Sequence, residues 1–429
     1  MERFLVPTEI KEVIQMSILH EIGKKGLSAK AILHKLSTLD KNKILNQVAI
    51  DLVNHKDYIL HNNSIDIREG RKNGLSDALL DRLLLTEDRI VNMANGLKQI
   101  AQLEDPIGQV ISMSQRPNGL KIGKQRVPLG MVGIIYESRP NVTVDAFGLC
   151  FKTNNVVLLR GGKEAINSNV ALVNRIQDSL EAAQLPREII QIVEDTSRET
   201  ALEMMRMNDY LDVLIPRGGA GLIRSVIENS TLPVIETGKG NCHIYVDQTA
   251  DLEMALNIID NAKTSRPGVC NACEKVLIHQ SMVPDFVGPL IERLKSKSVE
   301  IRGDEHICQF DASILSASEK DWETEYLDKI IGIKVVQDIS DAISHINHFG
   351  TGHSEAIMTQ DHSHAMRFLD EIDAAAVYIN ASTRFTDGEE FGYGAEIGIS
   401  TQKLHARGPM GLEALTSIKH IIFGNGQIR

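Results

Sequence analysis

Apolar positions recur at helical spacing through the first quarter of the chain, then give way to short apolar runs separated by helical stretches. From Thr8 to Gln109 the pattern predicts mostly helix. Ile44, Val48, Ile50 and Leu52, and later Ile90, Met93, Leu97 and Ile100, mark the faces expected inside. Ser76 and Thr86 offer side-chain oxygens that cap helix starts, and Pro106 offers a stop. Residues 110–127 alternate on either side of Arg116-Pro117-Asn118-Gly119, the pattern of a β-hairpin.

Beyond it, apolar runs at 131–136, 156–159, 189–193, 213–215 and 234–235 alternate with helical stretches. That rhythm requires strand–helix–strand crossovers, and so a parallel sheet with helices on both faces. A second alternation follows, with strands at 243–246, 275–279, 356–359 and 375–380 and a helix near 252–259. The run 418–424 reads as a last strand with no partner nearby in sequence.

With 429 residues the chain is long enough for two or three domains with real cores. Its net charge of −11, from 46 basic and 57 acidic residues, argues against nucleic acid or an anionic membrane as partner. No apolar run reaches the roughly 18–20 residues of a membrane span, and no signal-peptide stretch follows Met1-Glu2-Arg3-Phe4-Leu5-Val6-Pro7. Five cysteines, an odd number, do not form a disulfide framework, so a reducing cytosol is expected.

Several loops carry groups that can do chemistry. Cys270 lies on a Pro/Gly loop, Arg266-Pro267-Gly268-Val269-Cys270-Asn271-Ala272-Cys273, where Arg266 can favour a thiolate; a buried, inert cysteine is the equal alternative. Cys273 completes a C-x-x-C pair, but no second pair accompanies it and no metal site is expected. Glu236 opens a glycine-rich turn, where a carboxylate serves as general base, as a ribose contact or only as a cap. The turn Arg217-Gly218-Gly219-Ala220-Gly221 follows a strand and precedes a helix, so its backbone N–H groups can cradle phosphate or simply turn the chain. Lys163 follows another strand and can reach a nucleotide or only solvent. Asn141 lies beyond the run 131–136, where its amide can donate to an oxyanion.

In order and spacing these residues resemble the aldehyde dehydrogenase superfamily. The segment Pro128-Leu129-Gly130-Met131-Val132-Gly133 leads to Asn141, Lys163 follows 22 residues later, and Glu236 precedes Cys270 by 34. Within the superfamily the chain is similar to the branch that reduces glutamyl phosphate. That similarity rests on Tyr136-Glu137-Ser138-Arg139-Pro140-Asn141-Val142-Thr143, Glu236-Thr237-Gly238-Lys239-Gly240-Asn241-Cys242-His243 and the Cys270 loop. It rests also on His353-Ser354-Glu355-Ala356-Ile357 and on Phe391-Gly392-Tyr393-Gly394-Ala395-Glu396-Ile397-Gly398-Ile399-Ser400-Thr401.

The resemblance implies an α/β, aldehyde dehydrogenase-like fold. A Rossmann-type cofactor domain would span 1–110 and 131–236, a catalytic domain 237–404, and β oligomerisation elements 111–130 and 405–429. It implies reduction of L-glutamyl 5-phosphate to L-glutamate 5-semialdehyde through a Cys270 thioester, the second step of proline biosynthesis. Asn141 and the Cys270 N–H would form the oxyanion hole, and Glu236 would be a cofactor contact or proton shuttle. Lys163, Gly218, Gly219, Gly221 and Glu325 would hold the cofactor. Ile166, where NAD-preferring relatives often carry an acid, would favour NADPH. Arg139, Arg266 and Arg384 would hold the substrate's phosphate and carboxylate. A cytoplasmic homo-oligomer and a transient complex with glutamate 5-kinase complete the expectations. Cys273 departs from the family, most of whose members would carry alanine there, and its spacing from Cys270 permits a redox pair, a reversible Cys270–Cys273 disulfide. The alternatives are a hydrolytic aldehyde dehydrogenase with Glu236 as base, a non-catalytic protein that kept the fold, and a cysteine hydrolase or acyltransferase.

Overall fold

A computed structural model describes residues 8–429; the stretch read for a signal peptide, 1–7, lies outside the described residues. Helices occupy Thr8–Leu33, Thr38–Asn54, Lys56–Lys72, Asp77–Leu83 and Glu87–Gln102, as the periodicity predicts. Ser76 and Thr86 cap two of them, accepting from the N–H of Leu79 and Arg89 at 3.4 and 3.2 Å. Helix Glu87–Gln102 buries Ile90, Met93, Leu97 and Ile100 on one face. Ile50 departs from expectation: it is 47% exposed, whereas Ile44, Leu45, Val48, Ala49 and Leu52 are buried. Two residues on from Val48 it has turned about 200° around the helix axis, to the opposite side.

Contacts divide the chain into two compact units. The first runs to Glu236 and takes back Gly392–Gly398 and Met410–Arg429; the second comprises Thr237–Phe391 and Ile399–Pro409. The segments 111–130 and 410–429 thus pack within the first unit.

The first unit holds a four-stranded parallel sheet in the order Ile190–Ile192, Val156–Arg160, Met131–Tyr136, Val213–Arg217. All six residues of Met131–Tyr136 are buried, because helices cover both faces. From that strand the chain adds two strands on one side and then crosses to the other. The reversal of strand order lies between Met131–Tyr136 and Val213–Arg217. Ligands bind beyond the carboxyl ends of strands at such a switch point. The run at 234–235 makes only a single bridge, Val234 to Leu214, rather than the expected strand.

The hairpin forms from Val110–Gln115 and Lys121–Pro128, and Gly119 takes the positive φ of +87° that its turn needs. The last strand, Thr416–Phe423, pairs antiparallel with Lys121–Pro128 along its whole length. Its partner, some three hundred residues upstream, was invisible to a local reading.

The second unit is built on seven parallel strands in the order Leu315–Ser316, Glu300–Gly303, Ile330–Val336, Cys273–His279, Cys242–Val246, Ser354–Met358, Ala376–Ile379. The first three were not anticipated. Glu300–Gly303 is too short and polar to stand out, but the β-branched residues of Ile330–Val336 carried a signal. Side-chain alternation splits the core in two: Ile244, Val246, Val276 and Ile278 pack on one face, Tyr245 and Leu277 on the other.

Candidate active site

In the first unit, helix Asn141–Lys152 begins just beyond the carboxyl end of the central strand. Pro140 enters it with φ −56° and ψ −30°, the geometry its ring favours. The strand's last residue is tied to the helix by Tyr136 OH and Thr143 Oγ1, 2.7 Å apart. Asn141 stands exposed at the helix start, and its Nδ2 donates to Asp145 Oδ2 at 3.1 Å, one turn on. Burial pushes the Asp145 carboxyl up to about 6, against the opposing pull of the Asn141 hydrogen bond and the Arg217 guanidinium. Arg139, Asn141, Asp145, Arg217 and Glu396 line one small cavity, of about 40 Å³. It lies where Tyr136 and Arg217 pair across the switch point.

Beside it, the turn of Gly218, Gly219 and Gly221 opens helix Ala220–Asn229 and is solvent-exposed. The Gly219 N–H donates to Glu137 Oε2 at 2.8 Å, so this turn already accommodates an anionic oxygen. A Cβ on Gly218 would lie 2.6 Å from the same oxygen, whereas one on Gly221 would meet open space. Lys163 is exposed one residue past Gly162, and Glu164 accepts from Ser138 N and Oγ at 2.9 and 2.6 Å. Glu236 is half-buried in irregular backbone at the end of this unit.

In the second unit Cys270 is half-buried on the turn between helix Leu252–Thr264 and strand Cys273–His279. Asn271 anchors that turn. Its Nδ2 donates to the carbonyls of Arg384 and Thr386 at 3.2 and 2.9 Å, its own carbonyl accepts from Thr383 Oγ1 at 2.7 Å, and its Oδ1 accepts from Arg384. Arg384 is thereby held where both Arg266 and Cys270 act on its charge; burial first, then the Arg266 charge, lower its pKa. Of the three predicted arginines, Arg384 thus lies within electrostatic reach of the thiol, Arg266 acts on Arg384, and Arg139 lies in the first unit.

Behind the turn, Cys242 Sγ donates to the Cys270 carbonyl at 3.2 Å. No disulfide joins any of the five cysteines. Cys273 is fully buried, its Sγ donates to the Lys275 carbonyl at 3.2 Å, and burial pushes its thiol up to about 12. The Glu325 carboxylate accepts from the Gly240 N–H at 2.8 Å, and burial raises its pKa. Lys275 Nζ donates to Asn241 Oδ1 at 2.9 Å and the Thr324 carbonyl at 2.7 Å, and burial lowers it to about 8.

Sequence reading assigned no role to Asp145, Asn271, Gly240 and Cys242. The last three lie inside motifs that carry the resemblance, and Asp145 left its signal in the spacing of four from Asn141 on a predicted helix. Among the described residues no cluster of three or more His, Cys, Asp or Glu could hold a metal. No helix among them is long and apolar enough to cross a membrane.

The aldehyde dehydrogenase family model matches residues 20–330 and 314–421. γ-Glutamyl phosphate reductase of Clostridium beijerinckii is 58% identical over 412 residues, covering 95% of this chain and all of that protein. Its counterpart from Caldicellulosiruptor bescii is 57% identical over 418 residues, 96% of this chain and all of that one. The crystal structure of γ-glutamyl phosphate reductase from Thermotoga maritima superposes with a TM-score of 0.94 at 48% identity, covering 96% of this chain and 99% of that one.

Proposed function

Because the chain belongs to the aldehyde dehydrogenase family, we propose that it reduces L-glutamyl 5-phosphate to L-glutamate 5-semialdehyde and phosphate, a step of proline biosynthesis. The observation that carries the reading is the Cys270 turn, where one half-buried thiol has the Arg384 guanidinium in electrostatic reach, with Arg266 acting on Arg384 in turn. A cation beside the sulfur favours the nucleophilic thiolate, and guanidinium groups suit an acyl phosphate and a carboxylate.

The Cys270 thiolate attacks the acyl carbon, the carbon–oxygen bond to phosphate breaks, inorganic phosphate leaves, and a thioester remains on Cys270. A bound nicotinamide supplies the hydride that takes the thioester to the aldehyde oxidation level. Cys270 leaves as thiolate when the thiohemiacetal collapses. Asn141 and the Cys270 N–H are the donors assigned to the acyl oxygen as it becomes charged, each worth about 3–4 kcal/mol in comparable sites. No water need be activated in this direction, which leaves Glu236 as a proton shuttle or cofactor contact.

The glycine turn fits a dinucleotide: the Gly219 amide already takes an anionic oxygen, and a side chain at Gly218 would crowd it. Lys163, Gly218, Gly219 and Gly221 are assigned to the adenosine side, and Glu325 to the nicotinamide side. NADPH is favoured over NADH because Ile166, three residues beyond Lys163, presents no carboxylate to repel a 2′-phosphate. Arg139 joins Arg266 and Arg384 as an anion partner of the substrate.

The three-stranded sheet exposes Val110, Ile111, Met113, Ile422 and Phe423, and among the described residues no strand pairs with the outer edge of either of its outer strands. Such edges call for cover, and a second subunit supplies it. The absence of disulfides suits the cytosol. The lability of an acyl phosphate favours a transient complex with the glutamate 5-kinase that makes it.

The test follows NADP⁺ reduction with L-glutamate 5-semialdehyde, with and without inorganic phosphate, for wild type and Cys270→Ala. Activity that needs phosphate and is lost in the variant is the expected result. Activity indifferent to phosphate would mean that water resolves the thioester, and the proposed reaction would be wrong.

A further inference from the structure

We infer that Asp145 is a positioning residue that holds the Asn141 amide with its NH2 end turned toward the reaction; the inference rests on Asn141 being a donor to the acyl oxygen. The two ends of an asparagine amide have nearly one shape and opposite hydrogen-bonding character. Asn141 is exposed at a helix start, so rotation about its last bond would present carbonyl oxygen as readily as NH2, and a carbonyl there would repel a developing oxyanion.

Asp145 removes that ambiguity. It lies four residues on, on the same face of helix Asn141–Lys152, with Oδ2 3.1 Å from Asn141 Nδ2. An ionised carboxylate only accepts, so it selects the NH2 end whatever the rest of the site does. Nδ2 carries two hydrogens; one is committed to Asp145 and the second remains for the substrate oxygen. A negative charge this close would by itself disfavour an oxyanion. The Arg217 guanidinium, from the end of the neighbouring strand, acts on Asp145 with opposite sign. Arg139 and Glu396 are the other charged groups lining the cavity. Burial raises the Asp145 carboxyl to about 6, and the Asn141 hydrogen bond and the Arg217 charge oppose that push, favouring the ionised form the selection requires.

A double-mutant cycle on the full-length enzyme tests this, with kcat and KM read in the aldehyde-oxidising direction and NADPH affinity read by fluorescence titration. Asp145→Asn, which can offer either end of its own amide, is expected to lower kcat on the order of 10-fold, with KM and NADPH affinity little changed. In an Asn141→Ala background the same substitution is expected to do nothing further, because the amide it orients is gone. Asp145→Glu keeps an acceptor-only group one methylene longer; it is expected to recover part of kcat, and it carries the cycle should Asp145→Asn not fold. Additive losses in the cycle would overturn the inference and leave Asn141 as a donor. An Asn141→Ala enzyme with wild-type kcat would overturn the donor assignment and the inference together.

Discussion

Gly240 lies so close to Cys270 that a Cβ built on it would stand 1.5 Å from the Cys270 carbonyl oxygen. The contact is with backbone, so no rotamer change can relieve it. Cys242 donates to the same carbonyl, and Asn271 fastens the other side of the turn. The Cys270 backbone is thus held from two directions.

Gly240→Ala is therefore expected to displace the Cys270 turn. A shift of about 1 Å at a nucleophile costs on the order of 100-fold in rate. Steady-state kcat, taken alongside a circular-dichroism spectrum that shows a folded protein, measures it; wild-type kcat would show that the turn is not the source of precision.

Glu325 holds the Gly240 amide through Oε1. Glu325→Ala leaves that partly buried N–H without its acceptor, a loss worth about 1–3 kcal/mol, so Tm and kcat are expected to fall. A cofactor contact predicts something else, weaker NADPH binding. Titrating NADPH fluorescence in Glu325→Gln, which keeps an oxygen for Gly240, separates the two roles.

Acid destabilises this fold in part through His345. Burial, helped by the neighbouring His243 imidazole and the Lys334 and Lys275 ammonium groups, lowers its pKa to about 2 from the ordinary 6.5. As pH falls below 6.5 the unfolded chain takes up a proton that the folded protein refuses, so the stability present above pH 6.5 is lost on acidification. Burial also lowers His243 to about 3 and raises its partner Glu355, 3.0 Å away, and these two shifts act on acid stability in opposite directions. His345→Gln, which can still accept from Lys334, is expected to flatten the acid-side fall of Tm. In stability, the slope removed rises toward about 1.4 kcal/mol per pH unit as pH falls through 6.5; an unchanged slope between pH 7 and 5.5 would count against it.

Ile422→Asp combined with Phe423→Asp places charge on two exposed positions of the outer strand Thr416–Phe423. Sedimentation velocity is expected to show smaller species than wild type at the same concentration. A wild-type enzyme that is monomeric at micromolar concentration would remove the premise.

Local chemistry in the sequence determined the helices, the hairpin and the strand–helix rhythm. Helix caps, the 3.6-residue period and the Asn118-Gly119 turn act within a few residues of one another, and the order of Asn141, Lys163, Glu236 and Cys270 is a one-dimensional signal. The tertiary structure alone decided which groups surround them. Thr416–Phe423 finds its partner at Lys121–Pro128, Gly240 meets the Cys270 carbonyl, and Cys242 rather than Cys273 lies against the Cys270 backbone. The spacing of Cys270 and Cys273 suggested a redox pair, yet Cys273 begins a fully buried strand with its thiol engaged by backbone. Such contacts join residues tens to hundreds apart, through sheet register and side-chain burial. Neither leaves a periodic trace, because each depends on where a distant segment packs.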